Sequence, residues 1–189
     1  GSTGRPVAHQ KTWGALVRNV RAEAALLGLL DGRDHAIIGT VPAQHMFGFE
    51  STVMVALQSG AAFGAGRPLF PADICAALAA VPRPRMLVTT PFHLRTLLDA
   101  GIGIPELDLL LSATVPLSQN LVHEAEARCR APLLEIYGST ETGQIASRRP
   151  SAGAEWRLFP GVRLVERDGR AWAAGGHVER EIAMDDVLE

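Results

Sequence analysis

The 189-residue chain is predicted to be an α/β protein, with a mostly parallel sheet covered by helices and a small antiparallel β-rich segment behind it. Three observations predict this. As far as Pro150, short apolar runs alternate with stretches of helical periodicity. The connections between them are only a few residues long, as crossover units require. Past Pro150 the texture changes to strand-length runs parted by Pro-Gly and Asp-Gly pairs. With 47% hydrophobic and 20% charged residues the chain can bury a core, which excludes a disordered class.

The elements follow in order. Thr12 is placed to cap a helix through about Leu27, because Trp13, Leu16, Val20 and Leu27 fall near helical spacing and Gly28 stops it. Ala36–Val41 is a buried strand ended by Pro42, and a helix follows over Glu50–Gln58. A small-residue strand at Ala61–Gly64 precedes a helix opened by Pro71. Met86–Thr90 is a strand, Pro91 starts the helix to Ala100, and Leu107–Ser112 is the most apolar strand. Ser118 caps a helix to about Arg130, and Leu133–Tyr137 is a strand again. In parallel sheets ligands bind at the carboxyl ends of strands, so the loops after Val41, Thr90, Ser112 and Tyr137 are expected along one edge. The runs Trp156–Phe159, Val162–Glu166 and Arg170–Ala173 are expected to form hairpins, which divides the chain into 1–150 and 151–189. Both ends fall in mid-pattern, as in a piece of a longer protein.

Charge and cysteine content narrow the function classes. Eighteen basic against 20 acidic residues give a net charge of −2, which argues against nucleic-acid binding. No apolar run reaches the ~18 residues of a membrane span, and the N-terminus is no signal peptide, so a cytoplasmic protein without membrane attachment is expected. Cys75 and Cys129 form no CxxC and no zinc motif. Lys11 is the only lysine, so any chemistry needing an ammonium has one candidate.

Four stretches carry candidate chemistry. Gly1-Ser2-Thr3-Gly4-Arg5-Pro6 sets two hydroxyls between glycines, a composition suited to phosphate oxygens. Tyr137-Gly138-Ser139-Thr140-Glu141-Thr142-Gly143 follows a strand and offers hydroxyls with a carboxylate able to hold Mg²⁺. Gln44-His45-Met46-Phe47-Gly48 places a histidine near aromatics without a nucleophile beside it. Ser112-Ala113-Thr114-Val115-Pro116-Leu117 is a strand end leading to a capped helix. His9, His35, His93, His123 and His177 are read as surface or capping residues, and Arg148 and Arg149 as binding residues or a solvated turn. There is no GxxxxGK[ST] and no GxGxxG, which disfavours a dinucleotide fold.

Taken in this order, the four stretches resemble the adenylate-forming superfamily of acyl- and aryl-CoA synthetases, luciferases and peptide-synthetase adenylation domains. The contexts of Lys11-Thr12-Trp13 and Gln44-His45-Met46 are similar to short AMP-ligases of aryl-polyene and pigment clusters. The resemblance implies a fragment of the large N-terminal domain of an enzyme that activates a small carboxylic acid with ATP and Mg²⁺. The acyl-adenylate would then pass to a thiol, of coenzyme A or of the phosphopantetheine on an acyl carrier protein. By the same resemblance Ser2, Thr3 and Gly4 cradle phosphates, and Tyr137, Gly138 and Ser139 border the nucleotide. Thr140 meets the α-phosphate, Glu141 holds the metal, and Asp186 binds the ribose. His45, Phe47, Gly48, Ala113 and Thr114 line the acid pocket, with His45, Thr140 and Glu141 as catalytic residues.

The chain departs from that pattern in three places. Val7 and Ala8 stand where the loop lysine and glycine are usual, Ala113 and Thr114 replace glycines, and no lysine follows Lys11. An alternative reading is a catalytically silent remnant that binds adenylate or a partner protein.

Overall fold

The computed structural model describes residues 9–184. Thr12 caps α1 (Trp13–Leu26) by accepting a hydrogen bond from the Ala15 amide. Next come β1 (Ala36–Gly39), α2 (Met46–Gly48), a π-helical segment (Phe49–Met54), α3 (Val55–Ser59) and the two-residue β2 (Ala62–Phe63). Proline opens both α4 (Pro71–Ala79) and α5 (Pro91–Asp99), which flank β3 (Arg85–Thr89). Then follow β4 (Leu109–Ser112), α6 (Gln119–Cys129) behind its Ser118 cap, β5 (Leu133–Ser139), β6 (Gly143–Arg148) and β7 (Arg157–Leu158). The chain continues as β8 (Val162–Arg167), β9 (Arg170–Gly175) and β10 (Val178–Ala183).

Seven strands form one sheet in the order β2-β1-β3-β4-β5-β6-β7, parallel from β2 to β5 and antiparallel at β6 and β7. The apolar runs are continuous because both faces of the sheet are covered. Met86, Val88, Leu109 and Leu111 face a core shared with Val20 and Ala24 of α1 and Met54 and Val55 of the second helix. Their neighbours Leu87 and Leu110 face the opposite core, built from α4, α5 and α6. That alternation is the period of two of a strand. The three strands β8–β9–β10 form a second, antiparallel sheet, and Val162, Ala173 and Val178 join the first core.

Strand ends shift by one or two residues from expectation, and two elements depart further. The helix predicted over Glu50–Gln58 begins at Met46, and the π-helical turns widen it, with the Thr52 hydroxyl donating to the Gly48 carbonyl. Arg157–Leu158 was expected in a hairpin with the next run, yet it pairs with β6, so the break between sheets falls between Leu158 and Val162. Among the described residues no helix is long and apolar enough to cross a membrane.

Candidate active site

The carboxyl ends of β1, β3, β4 and β5 lie side by side. Thr40 and Thr89 hydroxyls meet at 2.9 Å, Thr89 registers with Ser112, and Ser112 with Glu135. The four loops expected along one edge therefore do share it.

The turn after β5 is tighter than a loop. Strands β5 and β6 form a hairpin with Gly138 opposite Gln144 and Ser139 opposite Gly143, after a register shift at Tyr137. Ser139 and Thr142 close it reciprocally: each backbone N–H donates to the other's hydroxyl at 3.1 Å. Gly138 is required because a Cβ there would overlap the Gly143 carbonyl oxygen, which is backbone and cannot yield. Gly143 has φ +76° and lies so near Asn19 and Lys11 that a Cβ would stand 2.6 Å from Asn19 Nδ2. Thr140 and Glu141 occupy the tip, Thr140 exposed and Glu141 partly so.

Glu141 faces the chain that follows the hydroxyl-rich N-terminal stretch. His9 Nε2 lies 3.1 Å from Glu141 Oε1. The Ser139 hydroxyl, and then His9, hold the Glu141 carboxyl below the usual carboxylate range, so it is ionised at neutral pH. Behind it, Lys11 Nζ stands 3.8 Å from Glu50 Oε1 with little of either side chain exposed. Burial lowers the Lys11 pKa, while Glu50 and Glu141 oppose that shift. Burial also pushes Glu50 up to about 6 and His177 down to about 4. Lys11, Thr12, Glu141, Thr142, His177 and Glu179 line a cleft of about 560 Å³.

The remaining predicted positions are distributed as follows. Tyr137 is half-buried with its ring 5.7 Å from that of Trp156. Phe47 and Ala113 are buried in the core against which Tyr137 packs, while His45 and Thr114 are exposed. Gly48 admits no side chain, since a Cβ would overlap the Pro42 carbonyl oxygen. Thr114 stands at φ 88°, a conformation that explains why glycine is usual there. Ser2, Thr3, Gly4 and Asp186 lie outside the described residues.

Several side chains sit differently from expectation. His35 and His177 are buried rather than superficial, His35 against Asp31 at 2.8 Å. Arg148 pairs with buried Glu135 at 2.7 Å and covers the Trp156 ring, a structural task, whereas Arg149 stays exposed and pairs with Glu126 at 3.0 Å, in line with a solvated turn. Asn19, Glu23, Glu50 and Gln144 were missed altogether. The signal was there for the first two: their i, i+4 spacing puts them on the stripe that holds Val20.

A carboxylate-bearing turn on the carboxyl edge of a parallel sheet stands where α/β domains take their ligands. The family is plain from sequence comparison: residues 1–168 match the profile of AMP-binding enzymes, and the chain belongs to that family. It is 34% identical over 169 residues to a 4-coumarate–CoA ligase of Rhodobacter capsulatus, covering 89% of this chain and 43% of that protein. It is 29% identical over 183 residues to an indoleacetate–CoA ligase of Aromatoleum aromaticum, covering 89% and 35%. The fold matches ATP-bound MatB from Rhodopseudomonas palustris with a TM-score of 0.79 at 22% identity, over 94% of this chain and 38% of that one. It matches O-succinylbenzoate CoA synthetase (MenE) from Bacillus subtilis in complex with ATP and magnesium ion with a TM-score of 0.78 at 22% identity, over 96% and 41%. The chain thus spans 35–43% of the length of these two curated relatives.

Proposed function

We propose that this chain is the central piece of an ATP-dependent acid–thiol ligase that forms an acyl- or aryl-adenylate and passes it to coenzyme A or to a carrier-protein pantetheine. The observation that carries the proposal is the approach of Glu141, at the tip of the β5–β6 hairpin, to His9, five residues past the predicted phosphate-binding Gly4. Family membership supports it.

A carboxylate is a poor electrophile, and attack on the ATP α-phosphate converts it into a mixed anhydride with a good leaving group. The protein's part is alignment and charge neutralisation. Glu141 fits Mg²⁺: it is ionised, partly exposed, and carried at the open tip of the hairpin. Bound there, Mg²⁺ would supply neutralisation of phosphate charge. Thr140 presents its hydroxyl beside that carboxylate, Ser2, Thr3 and Gly4 take the β- and γ-phosphates, and Asp186 holds the ribose. Tyr137 is braced by Trp156 and borders the adenine with Gly138 and Ser139. His45, Phe47, Gly48, Ala113 and Thr114 form the acid side of the site. The names of the curated relatives favour an aromatic acid as substrate. We divide the chain near residue 150 into a nucleotide- and acid-binding unit and a β-rich unit whose first strand, β7, pairs back onto the sheet of the former, and the need for ATP and a thiol acceptor fits a cytoplasmic setting.

The full-length protein is expected to exchange labelled pyrophosphate into ATP when an aryl carboxylic acid is supplied, and to activate palmitate poorly. Absence of exchange with a broad panel of acids, together with no ATP-dependent thermal shift, would contradict the proposal. Efficient palmitate activation would contradict the substrate class alone.

A further inference from the structure

Beneath the hairpin lies a buried polar layer that the proposed chemistry does not use. From α1 come Asn19 and Glu23, from the π-helical segment Glu50 and Ser51, and from β6 Gln144, all at most 4% exposed. The π-helical geometry turns the consecutive residues Glu50, Ser51 and Thr52 all inward. Lys11 sits at the outer end of the layer beside Glu50, and Asn19 Nδ2 donates to Glu50 Oε1 at 3.2 Å. At the inner end the Gln144 amide N–H donates to Ser51 Oγ at 2.7 Å.

What is left over there is mostly acceptors. Both Glu23 oxygens, Asn19 Oδ1 and Gln144 Oε1 are buried without a hydrogen-bond partner. Unmet buried acceptors are costly. Ser51 and Gln144 stand close enough to favour the charged form of Glu23, although neither meets hydrogen-bond geometry with it. Because Ser51 Oγ already accepts from Gln144, its own proton is available to Glu23. A neutral Glu23 carboxyl has one O–H, and Gln144 Oε1 is an acceptor without a donor. The three side chains then close a ring in which each donates once and accepts once.

We propose that Glu23 carries a proton and closes this ring with Ser51 and Gln144, making Glu23 a positioning residue that clamps the start of β6 and the hairpin bearing Glu141. The inference depends on the buried layer and not on what the site binds. Loss of the proton leaves Gln144 Oε1 unsatisfied and places a bare charge between α1 and the sheet.

The pH dependence has a definite sign. Burial pushes the Glu23 carboxyl up to about 8, with Glu50 adding to the rise. The folded chain therefore keeps a proton that the unfolded chain has lost, and stability falls as pH rises from about 4.5 to about 8. Glu50, raised to about 6, acts in the same direction but over a shorter span. His177, lowered to about 4, opposes both up to its ordinary 6.5. Lys11, lowered by burial, opposes them from below its ordinary 10.5. A Glu23→Gln variant keeps all three of these groups, so the difference between it and the wild type isolates Glu23.

Glutamine supplies the same donor and acceptor as the neutral acid. The thermal midpoints of wild type and Glu23→Gln are expected to lie close together near pH 5. The variant should gain at least about 5 °C over the wild type by pH 8 and hold that lead above it. At pH 6.5 the wild type should show an infrared band of a neutral buried carboxyl beyond the part that Glu50 contributes in both proteins; the variant should lack that band, and at pH 9.5 the wild type should have lost it. At pH 9 the amides of Gly143 and Ile145 should exchange faster in the wild type than in the variant. A constant midpoint difference across this range, or no such band at pH 6.5, would overturn the proposal and point to an ionised Glu23 with a reversed Gln144 amide. Failure of Glu23→Gln to fold would overturn it equally, since the amide preserves every bond of the ring.

Discussion

Replacing Glu141 by alanine is expected to weaken binding of Mg·ATP by roughly thirtyfold, about 2 kcal/mol, while leaving the fold intact. The reason for the split effect is location. Glu141 sits at the tip of a hairpin whose closure is made by Ser139 and Thr142, not by its own side chain. Its contact with His9 is partly solvated, and even a charged pair so placed contributes only about 0–1 kcal/mol to stability. Its carboxylate is nonetheless ionised and directed at His9, which follows the stretch proposed to bind phosphate. Calorimetric titration together with a melting curve separates the two effects. Unchanged affinity in a folded Glu141→Ala chain would favour a silent remnant over a ligase, and a large loss of stability would show that the tip has a structural task instead.

Replacing Arg148 by alanine is expected to do the reverse, with a loss of about 3–5 kcal/mol of stability, a fall of roughly 10 °C in Tm. Glu135 is the cause. Its side chain is 4% exposed, accepts from the Leu117 amide at 3.3 Å, and receives both Nε and Nη2 of Arg148 at 2.7 Å on one oxygen. Without the guanidinium, a carboxylate remains buried between β4, β5 and β6 with one backbone donor. Arg148 also covers the Trp156 ring at 4.4 Å, and that ring leans on Tyr137, so the brace behind the candidate adenine face loosens too. The double variant with Glu135→Ala should recover part of the loss, because it removes the stranded charge. A change in Tm below about 2 °C for Arg148→Ala would mean that water or another group satisfies Glu135.

The parallel sheet was legible because each of its strands is short, apolar and bounded by proline, glycine or a helix cap. Those signals are local, and Thr12, Pro71, Pro91 and Ser118 act where periodicity placed them. The Tyr137–Gly143 motif was legible as a candidate site but not as a hairpin. Its turn is closed by two hydroxyls three residues apart, and its second strand, Gly143–Arg148, carries Gln144, Ser147 and Arg148, which look like a polar loop. Only contacts with distant Ser51 and Glu135 explain why Gln144 is buried and Arg148 is drawn against the sheet. The same holds for Glu50. A single carboxylate on a helical stripe reads as a solvent-facing residue until a second element is seen to cover it. Lys11 was noticed for being alone in its type, and the structure gives that isolation a setting between two carboxylates.

The central claim is that the hairpin tip and the hydroxyl-rich N-terminal stretch face one nucleotide. The most direct test is to follow backbone amide resonances of the isotopically labelled chain while Mg·ATP is added. Amides of residues 2–4 and of 137–141 are predicted to shift together, with a common dissociation constant, while those of the Gly101–Ile104 loop on the other side of the sheet stay in place. Shifts confined to one of the two segments, or a response at neither, would contradict it.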